Sequence, residues 1–334
     1  MDLSTSYLGL DLPHPFIAGA SPLTETPDGA KRIEEAGAAA LVLPSLFEEQ
    51  IHLESLASLK STDAQADSLR SSSADFVEPE EFVINPHRYL DRVRRVKDAV
   101  DIPVIASLNG YTRGGWLEYA RLLAEAGADA LELNLYNVVT EAHLSAGELE
   151  GRSVTIVREV KERIDIPLSV KLSPFYTALP HFAGQLETAG ADAIVLFNRF
   201  FESDIDVDEL AFASDLQLSD PRELLLRLRW LAILSGTLET IELGVTGGVY
   251  TAEDAVKAIM SGASTVQMVS SLYEKGLSNL ARIKSDMTIW MEEKECASLA
   301  HLRGSMTIRT CPDPQVLFRA NYMHQIRTWD RTPS

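Results

Sequence analysis

Two short segments in the last third of the chain carry residue types that bind phosphate. Thr246-Gly247-Gly248 follows one apolar run, and Ser270-Ser271 follows the next. Glycines leave the backbone N–H groups of a turn accessible, and a helix that begins there adds the positive end of its dipole. We therefore predict that Gly247, Gly248, Ser270 and Ser271 hold a phosphate dianion. An ordinary strand–turn–helix unit with a tight turn is the alternative.

Polar or small residues also follow several other apolar runs. Amides and cations at such positions are costly to bury unless they hydrogen-bond to a ligand or to one another. The set predicts a binding site and consists of Ala18, Gly19, Ala20, Ser21, Ser45, Asn109, Asn134, Tyr136, Asn137, Lys171, Asn198 and Arg199.

The two cations of this set each allow two interpretations. Lys171 lies within the apolar segment 168–172, where it predicts a positive charge beside an electron-rich cofactor or substrate. An ion pair with Glu132 is the alternative. Arg199 could hold a carboxylate through two parallel hydrogen bonds, or it could form a salt bridge at the edge of the site.

Three residues are candidates for proton chemistry. A phenol with a pKa near ~10 is a poor base at neutral pH, so Tyr136 would act as a proton donor. His143 has a suitable unperturbed pKa, and a surface histidine is the alternative. Cys311 precedes a helix start, which could lower its pKa, although a structural role in the tail is favoured.

A degenerate repeat indicates which elements position these residues. Glu-Ala-Gly-Ala or a close variant starts at Glu35, Glu125 and Glu187, and a looser copy starts at Ser261. Each copy predicts a helix end with a glycine cap, followed by a buried strand. Strands that are apolar throughout, alternating with helices, are typical of a parallel sheet covered on both faces.

Counting the apolar runs predicts eight strands, and eight strands with recurrent helices favour a TIM (β/α)8 barrel over a doubly wound sheet. Catalytic residues of such barrels lie at the C-terminal strand ends, where the polar set falls. The predicted strands span residues 16–20, 40–44, 104–108, 130–135, 168–172, 194–197, 241–245 and 265–269.

The whole chain, 1–334, is predicted to be one domain. Residues 55–84, rich in Ser, Asp and Glu, predict a mobile insertion after the second strand that is either a lid or a solvated loop. Residues 296–334 predict a C-terminal helical tail, in which Asp313-Pro314 starts the last helix.

The composition limits the partners. A formal net charge of −19 opposes binding to nucleic acid or to an anionic membrane. No apolar run reaches the ~20 residues that span a bilayer, and no signal peptide is evident. The two cysteines, Cys296 and Cys311, lack metal-site spacing, so no metal is expected. A cytoplasmic protein with free thiols is the simplest interpretation.

Several motifs together resemble the FMN-containing dihydroorotate dehydrogenase family of class 1, over nearly the full length of the chain. Segments 131–135 (LELNL), 170–172 (VKL), 246–249 (TGGV) and 268–272 (MVSSL) resemble family motifs, as does 18–21 (AGAS). Segments 196–200 (LFNRF), 229–234 (RWLAIL), 303–306 (RGSM), 311–314 (CPDP) and 320–323 (ANYM) resemble a bacterial dihydroorotate dehydrogenase-like subgroup.

The resemblance implies an FMN cofactor and a role in pyrimidine biosynthesis. It implies that the phosphate lies on Gly247, Gly248, Ser270 and Ser271, and that Lys171 faces flavin N1 and O2. It further places Ala18, Gly19, Ala20, Ser21, Ser45, Asn109 and Asn198 among the cofactor contacts. Asn134, Asn137, Asn198 and Arg199 would bind substrate, and Lys171, Tyr136 and Asn134 would be catalytic. The resemblance also implies a homodimer, and it leaves open whether a redox protein is a further partner.

The chain departs from the family pattern at three places. The family carries a Cys or Ser base after its fourth strand, where this chain has Tyr136 and Asn137. Pro44 stands where the family has a lysine, and Arg199 replaces a serine. Hydride transfer between a small cyclic carboxylate or dihydropyrimidine and flavin N5 is the first hypothesis. The alternatives are a barrel subunit with a redox-partner or regulatory role, and a flavin-free lyase or isomerase that binds a phosphorylated metabolite.

Overall fold

Eight parallel strands close into a ring in the computed structural model, which describes residues 1–47, 86–109, 113–200, 202–213 and 217–328. Each strand pairs with the next, and the first also pairs with the eighth. The predicted TIM (β/α)8 barrel is therefore confirmed. The strands are β1 (Phe16–Ala18), β2 (Ala40–Val42), β3 (Val104–Asn109), β4 (Ala130–Leu135), β5 (Leu168–Leu172), β6 (Ala193–Leu196), β7 (Glu242–Thr246) and β8 (Thr265–Met268).

Helices cover the outside of the ring. Their inner faces pack on outward-facing strand residues such as Leu131, Leu133 and Val170 in one apolar core. Within the described ranges they are α1 (Pro27–Glu35), α2 (Pro86–Lys97), α3 (Arg113–Glu125), α4 (Ala146–Lys161), α5 (Leu179–Thr188), α6 (Leu224–Thr237), α7 (Ala252–Met260), α8 (Ser270–Lys275), α9 (Ser278–Glu293), α10 (Leu299–Leu302) and α11 (Asn321–Arg327).

The repeated glycine motif ends four helices as predicted. Its glycines have φ angles of 87° to 112°, which favour a residue without Cβ. In two copies the following aspartate fixes the preceding strand. Asp129 accepts the N–H of Val104 at 2.7 Å, and Asp192 accepts that of Leu168 at 2.7 Å. Each aspartate also pairs with a helix lysine, so the repeat joins helix to strand.

An N-terminal hairpin, absent from the sequence prediction, closes the bottom of the barrel. Its strands Thr5–Tyr7 and Leu10–Leu12 pair antiparallel. Tyr7 and Leu8 are buried against small inward-facing strand residues, including Ala40, Ala130 and Ala193. These small side chains leave the space that the hairpin fills. The barrel interior is therefore apolar at its N-terminal end.

Other elements differ in detail from the prediction. Residues 55–84, predicted as a mobile insertion, lie outside the described residues. A second short strand, Leu46–Phe47, follows β2 and pairs with β3. Asp313-Pro314 begins a 3-10 turn, Pro314–Leu317, and the last helix α11 starts only at Asn321. Within the described ranges, no helix is both long and apolar enough to cross a membrane.

His14 makes stability depend on pH. Burial, and then the nearby Lys284 charge, lower the pKa of His14 from 6.5 to about 4. The unfolded chain therefore binds more protons as the pH falls below 6.5, and stability is lost between that pH and 4. We expect the unfolding free energy to fall by about 1–2 kcal/mol between pH 7 and pH 5 because of this residue.

Urea unfolding at both pH values measures this loss. His14→Gln should remove that part of the pH dependence, whereas the control His143→Gln, at an exposed loop position, should retain it. Equal pH dependence in wild type and His14→Gln would contradict the assignment.

Candidate functional site

The predicted polar residues of four neighbouring strands meet at the C-terminal end of the barrel. In the strand register Asn109 lies beside Asn134, and Asn134 lies beside Lys171. The Asn198 amide, just after β6, donates to the Asn134 side-chain oxygen at 2.8 Å. The structure therefore brings the three amides and Lys171 together as one continuous polar surface.

Lys171 forms the ion pair with Glu132 that the sequence offered as an alternative. Its Nζ lies 3.3 Å from Glu132 Oε1, and both side chains are buried. Gln267 on β8 donates to the other carboxylate oxygen at 2.7 Å. Burial, and then the Glu132 charge, raise the pKa of Tyr7, which keeps the phenol below this layer neutral. Lys171 is thus an oriented cation inside the barrel.

The two predicted phosphate-binding segments lie side by side. Ser219, in the loop before α6, connects them, since its Oγ accepts the Gly248 N–H at 3.2 Å. The Ser219 N–H and hydroxyl donate to Ser270 Oγ at 3.0 and 2.9 Å. Tyr250 donates to the Ser219 carbonyl at 2.6 Å. A hydroxyl oxygen therefore accepts the Gly248 N–H that was predicted to hold an anion.

The glycines of this turn are also required by packing. A Cβ on Gly248 would lie 2.7 Å from the Leu224 backbone nitrogen, and φ at Gly248 is +79°. A Cβ on Gly247 would lie 2.8 Å from the Arg227 guanidinium. Both the left-handed backbone and the close neighbours exclude a side chain here.

A buried arginine that the sequence interpretation missed lies beside the turn. Arg227 on α6 donates to the carbonyl oxygens of Thr246 and Glu223. Burial lowers the pKa of Arg227, and the Glu223 carboxylate opposes that shift. The same carboxylate pairs with Arg199 at 2.8 Å. Arg199 thus forms the salt bridge given as its alternative role.

The residues predicted from the first two strands also border the barrel end. The Gly19 N–H donates to the Met268 carbonyl at 3.0 Å, and a Cβ there would lie 2.7 Å from Val269 Cγ2. Ala18 and Ser21, on either side of this glycine, are buried, and Ala20 between them is partly buried. Ser45 shares a 2.7 Å hydrogen bond with Ser107.

The donor set fits a phosphate-bearing ligand. Ser21 Oγ and Ser271 Oγ are buried without a hydrogen-bond partner, as is Gln267 Oε1. Buried polar atoms are normally paired, so three such atoms at the ends of β1 and β8 indicate missing partners. The N–H groups of Ser270 and Ser271 precede the first hydrogen bond of α8, which runs from the Leu272 N–H to the Val269 carbonyl. Together with the Gly248 N–H and Ser270 hydroxyl, they can hold an anion.

Aromatic side chains line the outer part of this end of the barrel. The Phe200 ring lies 6.3 Å from the Tyr136 ring and 4.8 Å from the Phe175 ring. Asn137 is partly buried beside Tyr136, whereas His143 is exposed in the loop that follows. A cavity of about 290 Å³ adjoins Arg199 and Phe200. Tyr136 is therefore the best placed of the proton-chemistry candidates.

Cys311 lies away from the site. Its N–H donates to the Thr307 carbonyl, and Ile308 donates to the Ala232 carbonyl on α6. This tail segment packs on the outside of the barrel, which agrees with the structural role favoured for Cys311.

The sequence interpretation missed Ser219, Arg227 and Glu223. The segment Asp220-Pro221-Arg222-Glu223 is a capping box with proline at its first helical position. That signal could have placed a helix start beside the barrel end. It could not have shown which turn the helix contacts.

Comparisons with known proteins show the family. A family described as Dihydroorotate dehydrogenase matches residues 86–291, more than half of the 334 residues. The chain is also similar to proteins named dihydroorotate dehydrogenase B (NAD(+)), catalytic subunit. The Thermoplasma acidophilum protein is 28% identical over 308 residues, which cover 91% of this chain and 98% of the relative.

Two further relatives carry the same name. The Thermoplasma volcanium protein is 26% identical over 309 residues, with 91% of this chain and 98% of the relative covered. The Methanosarcina mazei protein is 32% identical over 192 residues, covering 56% and 60%. The two long matches therefore cover most of this chain, and the third covers just over half of it.

The buried ion pair predicts non-additive effects of mutation. Lys171→Met leaves the Glu132 carboxylate buried without its cation, so we expect the unfolding free energy to fall by about 3–5 kcal/mol. Adding Glu132→Gln removes the uncompensated charge and should restore part of that loss. Urea unfolding of both single variants and the double variant measures the coupling.

Lys97→Met is the matched control, because Lys97 pairs with Asp129 near the surface. This substitution should lower the unfolding free energy by only about 1 kcal/mol or less. The interpretation would be wrong if Lys171→Met cost no more than Lys97→Met.

Proposed function

Because the chain belongs to the dihydroorotate dehydrogenase family, we propose that it is an FMN-dependent oxidoreductase. Its reaction would be hydride transfer between a small cyclic carboxylate or dihydropyrimidine and flavin N5. The observation that carries the proposal is the buried, oriented Lys171 beside three amides, on the same barrel end as the glycine and serine donors.

The cofactor phosphate would bind at the crevice between the ends of β7 and β8. Gly247, Gly248, Ser270 and Ser271 supply its hydrogen-bond donors. The hydroxyl of Ser219, which accepts the Gly248 N–H here, would share these donors or turn away from them. The Arg227 guanidinium, buried beside Gly247, adds positive potential at the crevice and is only partly compensated by Glu223 at 3.5 Å.

When bound, the flavin would supply the hydride chemistry, and the protein would supply position and charge. Glu132, itself held by the Gln267 amide, orients Lys171, so the ammonium is in position before any charge develops nearby. A cation preorganised in a dry site stabilises developing negative charge more than one in water. Ala18, Gly19, Ala20, Ser21, Ser45 and Asn109 would border the ring system.

The substrate would bind on the side of the amides and Arg199. Asn134 and Asn198 already orient each other. Asn137 lies three residues after Asn134, just beyond the end of β4, and is partly buried. Arg199 binds Glu223 and the Gln217 carbonyl, so a substrate carboxylate would have to compete for the same guanidinium. The phenol of Tyr136, beside Phe200, would donate a proton to the substrate when the substrate is reduced, which is the reverse of the step that the family's Cys or Ser base performs.

The names of the relatives extend the proposal to partners. They are called catalytic subunits of an NAD(+) enzyme, so we propose that a separate redox protein exchanges electrons with this chain. We also propose that residues 1–334 act as one FMN-binding domain in a cytoplasmic homodimer.

A visible absorption spectrum of the purified protein tests the cofactor. The proposal requires an oxidised-flavin spectrum that bleaches on anaerobic titration with dihydroorotate. A colourless protein that does not bind added FMN would contradict the cofactor and favour a flavin-free barrel. Bound flavin that dihydroorotate does not reduce would exclude that substrate and leave the cofactor assignment intact.

Tyr136→Phe tests the proton donor. The ring and its contact with Phe200 are retained, so flavin binding should not change. Loss of a positioned proton donor costs about 10²–10⁴-fold in rate. We expect a loss in that range, measured in a stopped-flow spectrometer, for reoxidation of the chemically reduced flavin by orotate, because in this direction the substrate takes up a proton together with the hydride. His143→Gln is the control and should react like wild type. A Tyr136→Phe rate equal to wild type would show that the phenol takes no part.

A further inference from the structure

A cavity of about 320 Å³ lies beside the N-terminal hairpin, at the end of the barrel opposite the candidate site. One wall is the hairpin, which contributes the polar residues Ser4, Ser6 and Asp11. The other wall is α10 together with Arg303, the residue that follows this helix. Small-molecule sites have volumes of about 300–1,000 Å³, so the cavity suits a small ligand.

The two walls are fixed to each other by backbone hydrogen bonds. The Asp2 N–H donates to the Ala297 carbonyl at 3.1 Å, and the Leu299 N–H donates to the Asp2 carbonyl at 2.8 Å. The turn after α10 is fixed as well, because the Gly304 N–H donates to the Ile259 carbonyl at 3.0 Å. The cavity is therefore formed before any ligand binds, which lowers the entropic cost of binding.

Arg303 presents an oriented but unpaired guanidinium to this cavity. Its Nη1 donates to Ser264 Oγ at 3.2 Å and lies 3.5 Å from Thr5 Oγ1. In the part of the chain that the structure describes, Arg303 forms no ion pair, and its Nε and Nη2 donate to no protein atom. The edge formed by these two nitrogens can bind a carboxylate through two parallel hydrogen bonds.

Asp11 supplies a second, opposite charge. It lies across from Ser6 in the hairpin register, is exposed and lines the same cavity as Arg303. Among the described residues its carboxylate pairs with no cation, Arg303 included. A net charge of −19 disfavours a ligand that is only an anion. A ligand with one charge of each sign avoids that repulsion and matches both side chains.

We propose that this cavity binds an α-amino acid with an apolar side chain. The ligand carboxylate binds the free edge of Arg303, and the ligand ammonium binds the Asp11 carboxylate. Leu12, Leu299 and Ala300 line the cavity and contact the apolar side chain. The proposal assigns a role to Arg303 and thus to segment 303–306, which the candidate site leaves without one. It does not depend on whether flavin binds at the other end of the barrel.

Binding of L-leucine and two analogues to the full chain tests the proposal. Leucinamide lacks the carboxylate, and isocaproate lacks the ammonium. Isothermal titration calorimetry and ligand-observed NMR should show saturable binding of L-leucine. Each analogue should bind at least roughly tenfold more weakly, because each loses one of the two charge pairs. Wild-type protein that does not bind L-leucine, or that binds either analogue equally well, would overturn the proposal.

Two substitutions distinguish the two charges. Arg303→Met should weaken L-leucine binding at least roughly tenfold and leave the weak binding of leucinamide unchanged. Asp11→Asn should weaken L-leucine binding to a similar extent and leave that of isocaproate unchanged. Arg319→Met, at an exposed position of the tail, is the control and should bind all three compounds like wild type.

Circular dichroism and melting temperature show whether each variant is folded. A general structural defect would weaken every compound equally, whereas the proposal requires each variant to spare one analogue. L-leucine affinity that neither Arg303→Met nor Asp11→Asn lowers would place the ligand elsewhere and would also overturn the proposal.

Discussion

The carboxylate of Glu132, buried inside the barrel, is the constraint on which the upper half of the structure depends. A charge in that position is stable only if ions and hydrogen-bond donors surround it closely. Its partners are Lys171 on the neighbouring strand β5 and Gln267 on β8, at the opposite side of the ring. The three strands must therefore keep their inward faces in register. A one-residue slip of any of them would leave a buried polar group without its partner.

As a result, the interior of the barrel is packed differently at its two ends. Below the carboxylate, Tyr7 and Leu8 of the N-terminal hairpin fill the interior against alanines. Above it, Asn134 and Asn198 satisfy each other, whereas Ser21 and Ser271 keep buried hydroxyls without partners. The apolar end contributes stability, and the incompletely satisfied end is the one arranged to gain from a ligand. This division matches the usual separation of stability and activity in such barrels.

The sequence predicted the barrel well because its signals are local. Each glycine-containing repeat sets a helix end and the next strand, and the eight strand boundaries agree to within about two residues, the ordinary uncertainty of such boundaries. The Lys171–Glu132 pair was also accessible, since both residues interrupt apolar strands at inward positions. Ser219 was not accessible, because its contact with Gly248 joins loops 29 residues apart. The antiparallel strands Asp204–Asp206 and Ala211–Ala213 were not predicted, because their exposed apolar side chains are the opposite of what burial patterns lead one to expect.

Glu223 connects the two halves of the site. The charges of Arg199 and Arg227 must therefore be considered together, because both arginines contact its carboxylate. Its carboxylate contacts Arg227, which is buried beside the Gly247 turn, and Arg199, which faces the outer cavity. An anion at the turn would draw on the same positive charge that now balances Glu223, and a carboxylate at Arg199 would compete with Glu223 directly. Two anionic ligands on opposite sides of one carboxylate must therefore influence each other's binding. Arg199 makes this connection, because its guanidinium pairs with the carboxylate that also contacts Arg227.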